Sequence, residues 1–190
     1  ARATCSNAMI LPAPGRFSTT TAWPSLSDSR CATMRANTSL PPPAAKPRLA
    51  PLLADDVASG WIEVRDEPQR SVLTWPADRL FAAGTAQLDP AASAPLARAA
   101  RVLAGSAGRV EVIVHTDDRP IESLRFPSNW QLSRERAVAV RDALVREGIA
   151  AERVRAEGRA DADPRAPNES DAARARNRRV EIHLLLPRPE

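Results

Sequence analysis

Asp117 and Arg136 are the two residues whose types and spacing most invite chemistry. The stretch from 115 to 137 reads HTDDRPIESLRFPSNWQLSRERA: an aspartate just past an apolar run, then a loop, then a helix with an arginine two turns in. A carboxylate at a strand end projects from the sheet edge into the loop region, where binding sites concentrate. A helical arginine leans its long arm toward the N-terminus, where the first backbone N–H groups are unpaired and partly positive. A ligand carboxylate fits there under the guanidinium, with an ammonium held nearby by Asp117. The pair suits a zwitterion. The competing readings are a direct Asp117–Arg136 ion pair, or two unrelated surface charges with Asp118 and Arg119 as the partners. An ordered loop of this length is more often functional than not.

Other reactive side chains point to weaker chemistry. His115 and His183 are the only histidines. With Asp117 they have no third strong ligand and no metal spacing, so no metal is expected, and satisfied or surface histidines are. Ser133 has no base nearby in sequence and, early in a helix, is expected to bond local backbone. Acid–base catalysis by Asp117 with Glu122 or Asp118 would need a closed, desolvated pocket, whereas this loop reads as open. Arg174, Arg176, Arg178 and Arg179 lie close to Asp161, Asp163, Glu169 and Asp171, the pattern of a solvated mixed-charge face. Trp130 either covers the pocket or, the commoner role, packs at the helix start. No catalytic set emerges, and no cofactor is called for.

The elements that must position the pair follow from hydropathy. WIEVRDEP and SVLTWP, separated by a polar turn, predict two short antiparallel strands. FAAGTAQLDP reads as a loop, and Asp89-Pro90 opens a helix whose Leu96, Ala100 and Leu103 share one face. RVEVIVH (109–115) predicts a strand. Ser128 and Gln131 make a capping-box pattern that starts a helix running to about Glu147, with Ala137, Val140 and Leu144 facing inward and Gly148 ending it. ERVRAEG (152–158) and RVEIHLLL (179–186) predict two more strands, joined by a polar, proline-containing loop through ARARNRR. Alternating strands and helices imply an α/β sandwich with helices covering one face of the sheet.

Composition sets the limits. The chain has 190 residues, enough for one well-buried domain and a tail. Eight of its 18 prolines fall between Pro12 and Pro51, within a Ser-, Thr- and Ala-rich stretch that has no helical or strand period. Such a segment cannot bury enough apolar surface to offset the entropy of ordering. A largely disordered linker is therefore expected over 1–58 and a folded domain over 59–190, with RLAPLLADDVA (48–58) apolar enough for a short helix leading in. Residues 1–60 carry six basic and three acidic side chains, and 61–190 carry 21 and 20, so the folded part is nearly neutral. Aromatics are 4% of residues and tyrosine is absent. A nucleic-acid binder needs a basic stripe and stacking platforms, so nucleic acid is not an expected partner. Cys5 and Cys31 both fall in the tail, and no apolar run approaches a membrane span. Membrane contact is expected only through an upstream segment outside this chain.

Three motifs in order, TD at 116–117, N-x-x-L-S-x-x-R-A at 129–137 and N-R-R-V-E-I at 177–182, resemble the OmpA/MotB C-terminal domain family. FAAGTAQLDP is similar to its first strand-to-helix segment and EGRADADP (157–164) to its G-x-G-x-x-x-P region, so the likeness runs from about residue 72 to 186. The resemblance implies an OmpA-like βαβαβ domain, with helices on one face of a mixed sheet, that binds peptidoglycan without catalysis. The lead-in LAPLLADDVASGWIEVRDEPQRSVLTW with DRLFAAGTA is most similar to the peptidoglycan-binding extension of TssL, the type VI secretion inner-membrane anchor. In the family the TD aspartate takes the ammonium of diaminopimelate in the stem peptide and the LSxxRA arginine takes its carboxylate. Carried over, these are Asp117 and Arg136. Thr116, Asn129 and Leu132 match positions lining the same pocket, and Arg178 matches the first arginine of NRR. The implied setting is periplasmic, with peptidoglycan and other secretion-complex envelope proteins as partners. One departure is Val114 where the family has glycine, which either narrows the pocket or merely completes the strand. The alternatives are a MotB-like flagellar stator anchor, a protein-interaction domain of this fold without wall binding and, more remote, a wall-cleaving enzyme. A stator anchor would have a single membrane helix with an acidic residue upstream; a type VI anchor would have a cytoplasmic helical domain before its span.

Overall fold

The computed structural model describes residues 48–121 and 125–187. The expected linker over 1–47, both cysteines and Glu122 lie outside the described residues.

Five strands form one sheet in the order β1-β2-β5-β3-β4. The hairpin β1 (Glu63–Asp66) and β2 (Arg70–Pro76) pairs antiparallel, as the polar turn between them predicts. β3 (Arg109–His115) lies antiparallel to β5 (Arg179–Leu185) and parallel to β4 (Val154–Ala160). The two parallel strands are joined through α4 (Asn129–Arg146), since parallel neighbours need a long crossover. β4 begins later than the hydropathy pattern suggests because Ala151–Arg153 form a 3₁₀ turn.

Period-2 alternation sorts the sheet into two faces. Leu73, Trp75, Val110, Val112, Val114, Val180, Ile182 and Leu184 join one apolar core with Leu96, Ala99, Ala100 and Leu103 of α3 (Ser93–Ala104). Ala137, Val140 and Leu144 of α4 complete it, the stripe expected from their spacing. Val114 is fully buried, pairing with Val180 on one side and Gly158 on the other, so it completes the strand.

The folded part starts ahead of residue 59. A 3₁₀ turn (Ala50–Leu53) leads into α1 (Ala54–Ala58), and Leu49 and Leu53 are buried in the core. The Asp66 carboxylate accepts the Leu49 and Ala50 N–H groups at 3.2 and 3.1 Å, and buried Asp56 accepts from Arg98 Nε of α3 at 3.0 Å. Residues 48–58 are thus packed, not linker, because their apolar side chains find a surface on the domain behind them.

Two short helices add to the expected elements. α2 (Ala77–Leu80) follows β2, and α5 (Asp171–Asn177) precedes β5. Ser170 caps α5 by accepting the Ala173 N–H at 3.2 Å, and Asp171 sits in its first turn, where the helix dipole favours an anion.

Candidate functional site

The site lies where β3 ends, α4 begins and the chain enters β5. Thr116 N–H donates to the Ala160 carbonyl at 2.8 Å, which carries the β3–β4 ladder one step past a register shift. Asp117 follows, 8% exposed. Asn129, the first residue of α4, donates from Nδ2 to the carbonyls of Asp117 at 3.3 Å and Arg119 at 2.8 Å. Thr116 Oγ1 also donates to the Asp117 carbonyl at 3.0 Å. Thr116 and Asn129 therefore hold the backbone from which the carboxylate projects.

α4 is fixed at its start by Ser128, whose hydroxyl accepts the Gln131 N–H at 3.4 Å. Its first turns press against β4. A Cβ added to Gly158 would lie 2.3 Å from the Arg134 nitrogen and 2.6 Å from the Ser133 carbonyl carbon, so only glycine admits this approach. Ser133 donates to the Trp130 carbonyl at 3.1 Å, the local bond expected of it, and accepts the Ala160 N–H at 3.2 Å. Leu132, Arg136 and Val140 then fall on the buried side.

Arg136 is 5% exposed. Its Nε donates to the Thr85 carbonyl at 2.7 Å, its Nη2 to the Ala82 carbonyl at 3.4 Å, and its guanidinium lies 4.9 Å from the Phe81 ring centroid. It forms no ion pair among the described residues. Burial lowers its pKa, the direction expected of a cation held away from water.

Asp117 pairs instead with Arg178, Nη1 to Oδ2 at 2.8 Å. The same guanidinium grips Asp78 of α2 through Nε to Oδ1 at 2.9 Å and Nη2 to Oδ2 at 2.6 Å. These bonds, with Asp78 foremost, raise the Arg178 pKa. The direct Asp117–Arg136 pair is not formed, and Arg119 bonds Asp171 at 2.8 Å.

All six residues expected from the sequence thus surround the junction of β3, α4 and β5. Asp78, Phe81 and the carbonyls of Ala82 and Thr85 were not expected; no spacing rule links them to residues so distant in the chain.

Other expectations need correction. Arg178 and Arg179 do not belong to a solvated face: Arg178 holds the site, and Arg179 is 3% exposed. Arg179 donates to Glu181 at 2.7 Å, and His183 bonds the other oxygen of that carboxylate at 2.8 Å. Burial alone would raise the Glu181 pKa, but the bonds from His183 and Arg179 outweigh it and hold the carboxyl well below its usual range. His115 is 1% exposed and its Nδ1 has no partner among the described residues, so it is buried rather than satisfied. Trp130 does not pack at the helix start; it is 55% exposed. Among the described residues no cluster could hold a metal ion, and no helix is long and apolar enough to cross a membrane.

This topology and site define the class. Residues 80–178 match the OmpA family, and the chain belongs to it. The Escherichia coli K12 probable lipoprotein YiaD is 34% identical over 133 residues, 70% of this chain and 59% of that protein. Among solved structures, the cell wall anchor of the T6SS from Pseudomonas aeruginosa shares 45% identity with a TM-score of 0.72, covering 75% of this chain and 99% of that one. A MotB-like protein from Desulfovibrio vulgaris shares 31% identity with a TM-score of 0.69, covering 73% and 90%. The OmpA/MotB likeness and its type VI secretion leaning are both met in these relatives, and the family is one of anchoring domains, not enzymes. The chain spans less than two thirds of YiaD's length.

Proposed function

We propose that this domain binds peptidoglycan without catalysis, gripping the distal ammonium and carboxylate of diaminopimelate in the stem peptide. It thereby anchors a type VI secretion inner-membrane complex to the wall from the periplasmic side. The observation that carries this reading is the state of Arg136. A guanidinium 5% exposed, braced by two carbonyls and a phenyl face but ion-paired to no carboxylate among the described residues, is an anion site with its cation already in place. An unpaired buried charge is unfavourable, so an incoming carboxylate gains more here than at a solvated arginine. Asp117 Oδ1 makes no bond within the described residues, whereas Oδ2 takes Arg178. That oxygen is available to an ammonium. The likeness to a T6SS cell wall anchor at 45% identity favours this setting over a flagellar one.

The test is co-sedimentation of the purified chain with diaminopimelate-type peptidoglycan, beside Asp117→Ala and Arg136→Ala variants shown to be folded. Each variant is expected to lose about 2–5 kcal/mol of binding, the usual penalty for removing one partner of a buried, hydrogen-bonded charge pair. Wild-type protein that stays in the supernatant would sink the proposal.

A further inference from the structure

We infer that Asp78 is a positioning residue that keeps the ammonium side of this site open by restraining Arg178. The inference rests on the reading of Asp117 and Arg136 given above and deepens it. A free guanidinium beside a carboxylate prefers to present two parallel N–H groups to both oxygens, the fork geometry that makes Arg–carboxylate pairs strong. In that arrangement Arg178 would cover Oδ1 and Oδ2 of Asp117 together and leave no oxygen for a ligand ammonium. The fork is committed elsewhere. Nε and Nη2 of Arg178 both face Asp78, at 2.9 Å to Oδ1 and 2.6 Å to Oδ2, and only Nη1 is left to reach Asp117 Oδ2 at 2.8 Å.

The backbone reinforces this division. Ala77 N–H donates to the Arg178 carbonyl at 2.9 Å, which locks the start of α2 against the residue that enters β5. The Asp78 side chain is therefore delivered beside the Arg178 guanidinium by an adjacent main-chain bond.

Binding of a soluble diaminopimelate-containing muropeptide to the full chain tests this by calorimetry. The series is wild type, Asp78→Ala, Asp78→Asn, Arg178→Ala and Asp78→Ala/Arg178→Ala, with folding checked by circular dichroism. Asp78 is exposed, so its variants are expected to fold. Asp78→Ala and Asp78→Asn are each expected to weaken binding by about tenfold or more. The double variant should bind as Arg178→Ala does, because Asp78 has nothing to restrain once Arg178 is gone. If Asp78→Ala binds as wild type does, the inference fails and the reading of the site stands. If the double variant is no better than Asp78→Ala while Arg178→Ala alone binds well, Asp78 acts on the ligand directly and the positioning role is overturned. Absence of wild-type binding removes both.

Discussion

Arg136 stacks on Phe81 with the guanidinium carbon 4.9 Å from the ring centroid, while its Nε donates to the Thr85 carbonyl at 2.7 Å. One helical arginine is thus gripped on its face and on its edge by the segment that follows α2. The brace fixes where the remaining donors point, and only a planar guanidinium can use both contacts at once.

Arg136→Lys should consequently behave as a loss of function despite conserving charge. An ammonium cannot serve the Thr85 and Ala82 carbonyls and stack on Phe81 while still reaching a ligand carboxylate. Muropeptide affinity is expected to fall by about tenfold or more, with little change in the urea unfolding midpoint. Affinity within twofold of wild type would refute the brace.

Gly158 carries a different kind of prediction. Its Cα faces the backbone of Ser133 and Arg134 too closely for any side chain. Gly158→Ala should destabilise the domain by about 1–3 kcal/mol through overpacking, read as a lower denaturation midpoint. Because α4 must shift to make room, wall retention should weaken as well. A variant as stable as wild type would show that the approach relaxes freely.

The pH dependence of stability follows from His115. Burial foremost, aided by Arg179, lowers its pKa from 6.5 to about 4, while Glu181 and Asp163 oppose the shift. The folded state therefore disfavours the protonated ring. Stability is full above pH 6.5, falls as pH drops from 6.5 toward 4, and this contribution is exhausted below about 4. The loss amounts to roughly 3 kcal/mol. His115→Gln should flatten urea midpoints across that window. The limb at lower pH should persist, because it belongs to Glu181, whose depressed pKa stabilises the fold above the usual carboxylate range and is lost as acid protonates it.

The domain boundary can be checked by truncation. A chain beginning at residue 59 lacks Leu49 and Leu53, both fully or nearly fully buried, and the Asp56–Arg98 pair. Removing each leucine should cost about 2–5 kcal/mol, so this chain should be far less stable than one beginning at residue 48. Equal thermal midpoints would return 48–58 to the linker.

The sequence made some of this plain. α4 is marked by a cap, an apolar stripe and a terminal glycine, and Arg136 stands four residues from both Leu132 and Val140, so periodicity alone puts it on the inward face. β2, β3 and β5 are apolar enough on one side to declare themselves. What stayed hidden depends on contacts between distant segments. Asp78 and Arg178 are separated by 100 residues and meet because β2 and β5 are neighbours in the sheet. The stretch RLAPLLADDVA looks like the end of a linker until the surface it covers exists. Arg179 reads as one more charge in a basic run, and only the pleat of β5 places it beside Glu181.

The position of β5 carries one more consequence. The last strand of the chain lies in the middle of the sheet, between β2 and β3. Until it is in place, the β1–β2 hairpin and the β3–α4–β4 unit share no backbone hydrogen bond among the described residues, and each keeps a bare edge. Arg178 stands at the threshold of that strand, so the same event that joins the two halves also delivers the third charge to Asp117 and Asp78. A chain cut short before residue 178 would lose the strand that joins the two halves of the sheet and its charge triad together.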